Sequence, residues 1–325
     1  MGLLIDGQWH DRWYDTSQSG GRFERRPSSF RRQVTADGAP VDGQATVQAE
    51  PGRFHLYVSC ACPWAHRTLI VRALKGLDDV IGVSFVHPLM LDQGWFFDDE
   101  HPDRVGGRRF LREVYTAADP HYTGRVTVPV LWDDKEGTIV NNESSEIIRM
   151  LTRAFDAWSS RPDLDLYPEE LRPEIDRVNA LVYDTVNNGV YKAGFATTQA
   201  AYDEAVHALF DTLDLLEARL SARPFLVGDR LTEADVRLFT TLLRFDIVYV
   251  GHFKCNIRRL VDYPALWAYT RALFQVPEIR GTCHLDHIKQ HYYRSHPSIN
   301  PHGIVPAGPR LDFDEPHDRG PVLPE

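Results

Sequence analysis

Apolar and polar positions change rhythm abruptly along this chain. Residues 1 to about 50 are polar, rich in Arg, Gly and Ser, and without sustained period, so they read as an extension that wraps a surface. At Phe54 the texture switches. Phe54–Ser59 is a β-type run, and the spacing from Trp64 to about Lys75 is helical. Ile81–His87 is a second strand pattern, followed by a long segment that contains Trp95 and several charges. Val128–Trp132 and Thr138–Val140 read as two further strands, and Asp133–Gly137 between them is a good hairpin connection. A helical pattern then starts near Glu143, with Ile147, Ile148, Leu151 and Phe155 on one face.

From about Pro173 onward the pattern is almost only helix. In Ala200–Leu220 the positions Tyr202, Val206, Leu209, Leu213, Leu216 and Leu220 recur at three- and four-residue steps. Thr232-Glu233-Ala234-Asp235 is a capping box before the apolar helix Val236–Phe245, and its structural reading outweighs a functional one for Asp235. From Ser295 the chain is rich in Pro and Gly and loses periodicity, which predicts a tail that is either disordered or clamps a partner subunit. The order of the first half is strand, helix, strand, a second helix, strand, strand, helix. It resembles the thioredoxin-like order. Pro129 inside a strand pattern would ordinarily count against the strand; the resemblance places a cis-proline there.

Composition narrows the function. The 325 residues are 43% hydrophobic and 25% charged, an ordinary globular balance with enough apolar material for a core in each half. The net charge of −10 and the lack of a basic stripe argue against nucleic acid as a partner. The first residues run out of apolar character by Asp6, so no secretory signal is expected, and no stretch is apolar for long enough to span a membrane. Four cysteines do not make a disulfide framework, which points to a reducing, cytoplasmic setting.

The sharpest chemical feature is Ser59-Cys60-Ala61-Cys62-Pro63-Trp64-Ala65, where a strand hands over to a helix. Pro63 suits the first helical position, because its missing N–H costs nothing there. Cys62 is then the cap residue, facing unpaired backbone donors and the positive end of the helix dipole, a setting that favours a thiolate. An isolated cysteine here would be read as buried packing; at a strand-to-helix turn followed by proline, the nucleophile reading leads. Three residues on stands Ala65, not a second cysteine, so a mixed disulfide at Cys62 must be resolved by an external thiol of the glutathione type. Cys60 could resolve it, but a packed strand cysteine is the better reading. Asn141–Glu146 opens a helix whose first N–H groups would suit a carboxylate, although Glu143 and Ser144 also serve as plain caps. Trp95 and Arg125 show no local structural task, and are read as an exposed aromatic and a cation in loops beside the thiol.

Together these residues resemble the glutathionyl-hydroquinone reductases, the Xi class of glutathione transferases. The match includes Tyr57-Val58-Ser59, Ala61-Cys62-Pro63-Trp64-Ala65-His66-Arg67, Arg125–Trp132 and Asn142–Ile148. It continues in Val190-Tyr191-Lys192-Ala193-Gly194-Phe195-Ala196, Arg244-Phe245-Asp246, Tyr249 with His252-Phe253-Lys254-Cys255, and His291–His296. The resemblance implies an extension over residues 1–50, a thioredoxin-like glutathione-binding domain over 51–157, an all-helical glutathione-transferase domain over 170–290, and a C-terminal extension over 291–325. It implies a homodimer, with the site in the cleft between domains.

The implied reaction is reduction of a glutathionyl-hydroquinone by glutathione, through a Cys62–glutathione mixed disulfide. Tyr191 would protonate the departing aromatic carbon, while Tyr249 and Tyr292 would direct hydroxyls at the thiolate; taken singly, each tyrosine would be read as packing. Glutathione, the cosubstrate, would meet Trp95, Arg125, Val126, Thr127, Val128, Glu143 and Ser144. Two rivals are an omega-like thiol transferase or dehydroascorbate reductase, which needs Cys62 but not the tyrosines, and a non-catalytic scaffold of the same fold. Cys283, His284, His287 and His291, with His252 or Cys255, have spacings that could gather a metal ion. No metal is expected, because the resemblance spans this segment and implies none; His291 fits better as pocket wall.

Overall fold

The computed structural model describes residues 2–323. The chain divides into two compact units, Met1–Trp13 with Arg26–Asp165 and Tyr14–Arg25 with Leu166–Glu325. Residues 1–50 are therefore shared between the two rather than forming one extension.

The first unit is built on a four-stranded sheet. In chain order its elements are β1 (Leu3–Ile5), β2 (Gln8–His10), β3 (Val34–Thr35), β4 (Val47–Gln48), β5 (Phe54–Val58), α1 (Pro63–Leu74) and β6 (Gly82–Phe85). There follow α2 (Leu111–Ala118), β7 (Gly124–Arg125), β8 (Val130–Asp133), β9 (Thr138–Asn141) and α3 (Ser144–Arg153). The main sheet runs β6-β5-β8-β9, with β5 parallel to β6 and antiparallel to β8. All five residues of β5 are buried, as a central strand covered on both faces requires. The hairpin β8–β9 turns at Gly137, whose φ of +64° suits glycine. Asp133 pins that turn: its carboxylate accepts from the N–H groups of Lys135 and Glu136 and takes Arg53 in a two-point grip at 2.9 and 2.6 Å.

The polar N-terminus is more ordered than its lack of period implies. β1 pairs with β2 and with β7, forming a small second sheet. The Val128–Pro129 peptide is cis, as expected, but β8 starts only at Val130. Proline has no N–H to give the ladder, so the strand begins beyond it.

The second unit is helical: α4 (Arg172–Val182), α5 (Gly189–Gly194), α6 (Gln199–Ala222), α7 (Glu233–Arg244), α8 (Val250–His252), α9 (Pro264–Phe274), α10 (Pro277–Arg280) and α11 (Leu285–Arg294). Every residue of α7 is buried, which makes it the axis of the unit. Its capping box forms as expected. The Asp235 carboxylate accepts from Thr232 N–H and from the Thr232 hydroxyl, each at 2.9 Å, and also from Leu226 N–H and the Tyr269 hydroxyl. Two π-helical turns, Tyr183–Asn187 and Phe245–Tyr249, interrupt the α-helical run. The C-terminal residues form a strap on this same unit. Phe313 is buried against Phe274 and Trp267, at ring distances of 4.8 and 5.2 Å, and Arg271 pairs with Glu315 at 2.7 Å.

Candidate active site

Cys62 stands where β5 hands over to α1. It is the residue before Pro63, with extended backbone (φ −79°, ψ 122°), and Pro63 occupies the first helical turn. The sulfur makes no capping hydrogen bond to that turn. Instead the thiol donates toward the Val128 carbonyl at 3.7 Å, the residue before the cis-proline. The side chain is half-buried, and Cys62 forms no disulfide. Cys60, two residues earlier, is buried in the unit's core. Among the described residues no acceptor in the chain meets the Val128 N–H. A disulfide-linked or bound peptide beside the sulfur would thus find an open backbone donor.

The start of α3 lies on the same unit. Glu143 is its cap: the carboxylate accepts from Ser145 N–H at 3.2 Å and from the Ser145 hydroxyl at 2.9 Å. Ser28, from the N-terminal segment, donates to the other oxygen of Glu143 at 3.1 Å. Ser144 is buried, and its hydroxyl accepts from the Arg67 guanidinium at 3.4 Å. Arg67 itself lies over the Trp64 ring and is almost wholly buried, so the helix after Cys62 and the helix after Glu143 are held in fixed relation. Sequence reading missed Ser28 and the bracing role of Arg67. Ser28 carries no local signal, since its partner is 115 residues away.

Two expectations need correction. Trp95 is not an exposed loop aromatic: it is 4% exposed. Its segment is regular, with Leu111 N–H donating to the Trp95 carbonyl and Phe97 N–H to Arg109, so the chain folds back and buries the ring. Arg125 does have a structural task. It lies in β7 opposite Leu3, and its guanidinium donates to the carbonyl of Arg12. Of its neighbours, Val126 is buried, and Thr127 uses its carbonyl to accept the Tyr115 hydroxyl at 2.8 Å.

The helical unit brings the three tyrosines together. The Tyr292 hydroxyl lies 2.6 Å from that of Tyr191 and 3.0 Å from that of Tyr249. All three rings are buried, at 8%, 0% and 1% exposure for Tyr191, Tyr249 and Tyr292. Burial pushes the Tyr249 and Tyr292 hydroxyls well above the usual phenolic range, against an opposing pull from the Arg244 cation. Both are therefore protonated at neutral pH. Tyr249 closes one π-helical turn, and Tyr191 sits in the short helix that follows the other. Around them Phe253 stacks on Tyr249, and Arg25 lies over the Tyr191 ring at 5.3 Å while its Nε donates to Asn188. Arg25 belongs to the N-terminal stretch that joins this unit, a long-range contact that periodicity does not reveal.

Of the histidine- and cysteine-bearing segments, His252, Cys255, His291 and His296 are buried. His252 and His296 share a hydrogen bond at 3.0 Å in a buried stack. Burial lowers His252 to about 4 and holds His296 well below its ordinary value. Burial pushes the Cys255 thiol up, and it pushes that of Cys283 up to about 12. Among the described residues no group of three or more His, Cys, Asp or Glu is arranged to hold a metal ion.

Comparison with known proteins places both units. Residues 61–154 match the family described as Glutathione S-transferase, N-terminal domain, and residues 199–272 match Glutathione S-transferase, C-terminal domain. Over 324 residues the chain is 57% identical to the glutathionyl-hydroquinone reductase YqjG of Escherichia coli, covering 98% of each. It is 58% identical over 312 residues to the glutathionyl-hydroquinone reductase PcpF of Sphingobium chlorophenolicum, covering 95% of this chain and 96% of that one. The glutathione-bound structure of YqjG superposes with a TM-score of 0.90 at 53% identity, over 98% of this chain and 99% of that. The Xi-class transferase of Natrialba magadii superposes with a TM-score of 0.92 at 49% identity, over 98% and 97%.

Proposed function

Because the chain belongs to the glutathionyl-hydroquinone reductases, the Xi class of glutathione transferases, we propose that it reduces glutathionyl-hydroquinones to free hydroquinones with glutathione as cosubstrate. The observation that carries this reading is identity of 57% and 58%, across nearly full length, to two reductases of that name.

The chemistry runs in two displacements. The Cys62 thiolate attacks the sulfur of the aryl thioether, forming an S–S bond and breaking the aryl C–S bond. The electron pair leaves on the ring carbon, which takes a proton from Tyr191 and departs as hydroquinone. A second glutathione thiolate then attacks the mixed disulfide, releasing glutathione disulfide and restoring the Cys62 thiolate. Ala65 supports this external resolution, since no second thiol stands at that position. A buried phenol that holds its proton at neutral pH is a suitable acid for a carbanion-like leaving group. Tyr292 bridges the trio and holds the Tyr191 hydroxyl through the 2.6 Å contact, and the proton that Tyr191 gives up is replaced by the one the incoming glutathione thiol loses.

For glutathione, the Val128 backbone is assigned to the cysteinyl part and Glu143 with Ser144 to the γ-glutamyl end, where the first turn of α3 presents N–H groups. Trp95, Arg125, Val126 and Thr127 are assigned to the rest of the tripeptide. The working form is taken as a cytoplasmic homodimer. Four cysteines with no disulfide support the reducing compartment, and no helix among the described residues is long and apolar enough to cross a membrane.

The test is to incubate purified protein with a glutathionyl-hydroquinone and glutathione, beside a Cys62→Ala variant, and to follow hydroquinone by chromatography. Release by the wild type alone is expected. Release by neither protein, or equal release by both, sinks the assignment of reaction or nucleophile respectively.

A further inference from the structure

Tyr115, in α2, is a buried phenol that no step of the chemistry above uses. Its ring packs against Tyr122 and Phe30, at centroid distances of 5.0 and 6.0 Å. That packing accounts for an aromatic side chain at this position but not for its hydroxyl. Burial pushes the hydroxyl up to about 12, so it keeps its proton at neutral pH.

The hydroxyl is fully committed. It donates to the Thr127 carbonyl at 2.8 Å and accepts from the Thr127 N–H at 3.3 Å and from Asn142 Nδ2 at 3.2 Å. The Thr127 hydroxyl adds a longer contact at 3.4 Å. One proton and two lone pairs are all that a phenol offers. Thr127 leads into β8, and Asn142 follows β9. Asn142 is held in turn from the N-terminal segment: its Oδ1 accepts from the Phe30 N–H, and its own N–H donates to the Phe30 carbonyl, each at 3.1 Å. The amide of Asn142 thus has its oxygen fixed on Phe30 and its nitrogen on Tyr115.

Each of these two supports is followed directly by a position assigned to glutathione. Val128, next to Thr127, carries the open N–H, and its carbonyl receives the Cys62 thiol at 3.7 Å. Glu143, next to Asn142, caps α3. A peptide seated on both must match the distance between them. One oxygen atom, that of Tyr115, is bonded to both supports. A spacing set in advance spares the ligand part of the ordering cost of binding.

We propose that Tyr115 is a positioning residue that fixes the Val128 and Glu143 subsites relative to one another, and so sets the preference of Cys62 for a partner bearing a γ-glutamyl arm. This rests on the assignment of glutathione to those subsites made above.

The test treats full-length protein with glutathione disulfide or with the disulfide of cysteinylglycine, which lacks the γ-glutamyl arm. In either case the Cys62 thiolate attacks one sulfur and forms a mixed disulfide, while the original S–S bond breaks and the other half leaves as a thiolate. Rates at Cys62 are read by peptide mass spectrometry. Their ratio, divided by the same ratio for free N-acetylcysteine, is the preference. Tyr115→Phe keeps the ring and removes the hydroxyl, and Asn142→Ala breaks the link from the other side. Each is expected to lower the preference about tenfold while alkylation of Cys62 by iodoacetamide stays unchanged. The double variant should lose no more than the larger single change, because both remove one link. An unchanged preference in Tyr115→Phe, equal slowing toward both disulfides, or losses that add in the double variant would each overturn the proposal. A wild type with no preference would instead sink the assignment of glutathione on which it rests.

Discussion

At the scale of single residues, the tyrosine trio is a chain with Tyr292 in the middle. Removing the Tyr292 hydroxyl severs both contacts, whereas removing that of Tyr249 leaves the 2.6 Å link between Tyr191 and Tyr292 intact. With Tyr191 as proton donor, Tyr191→Phe is expected to lose about 10²–10⁴-fold in turnover, Tyr292→Phe less, and Tyr249→Phe least. Steady-state rates on a glutathionyl-hydroquinone check the order, and a Tyr249→Phe loss equal to that of Tyr191→Phe would contradict it. Because burial raises Tyr249 and Tyr292, neither should produce an alkaline limb in the rate profile below about pH 10. The site residues were unevenly legible in the sequence. Cys62 announced itself through local signals, a strand end and a following proline. Ser28 and Arg25 gave none, because what defines them is a contact more than a hundred residues away. Trp95 was misread as exposed because a long charged segment looks like a loop, whereas backbone bonds to Leu111 and Arg109 fold it into the unit.

Among the elements, α7 depends most on its start. Asp235 is fully buried and its carboxylate accepts four hydrogen bonds. Asp235→Ala orphans those donors, and a loss of about 3–5 kcal/mol is expected in urea unfolding; a change below about 1 kcal/mol would refute the role. This cap could be read in advance, since a capping box spans only four residues. The end of α5 is constrained differently. A Cβ at Gly194 would sit 2.2 Å from the Phe253 ring, and Phe253 stacks on Tyr249. Gly194→Ala should therefore push the Phe253 ring aside and reduce reductase turnover at least tenfold, as a displacement of about 1 Å near the chemistry does. Unchanged turnover would show that the ring yields freely.

Across the whole chain, the thioredoxin-like and helical halves were legible because each has a steady period, while the strap was not, because its order comes from Phe313 and ion pairs rather than from rhythm. The buried His252–His296 pair is expected to weaken the helical unit in acid. Both are neutral when folded, with His252 at about 4, and both return toward 6.5 when unfolded. As pH falls from about 6.5 toward 4 the unfolded chain binds protons that the folded one refuses, so stability present above 6.5 is lost across that window. Urea unfolding at pH 7.5 and pH 5 should show this loss, and His252→Gln should flatten it; identical pH slopes would exclude the pair as its source. The two π-helical turns have a different consequence. Each is one residue more than an α-helical path would need, so the hydroxyls of the trio meet in a frame set by counting as much as by side-chain identity. A library of substitutions would pass over this dependence. Deleting a single residue within Phe245–Val248 would close the wide turn into ordinary α-helix and shift the side chains inside it while leaving all three tyrosines in the sequence, so an inventory of retained residues would score such a variant as intact.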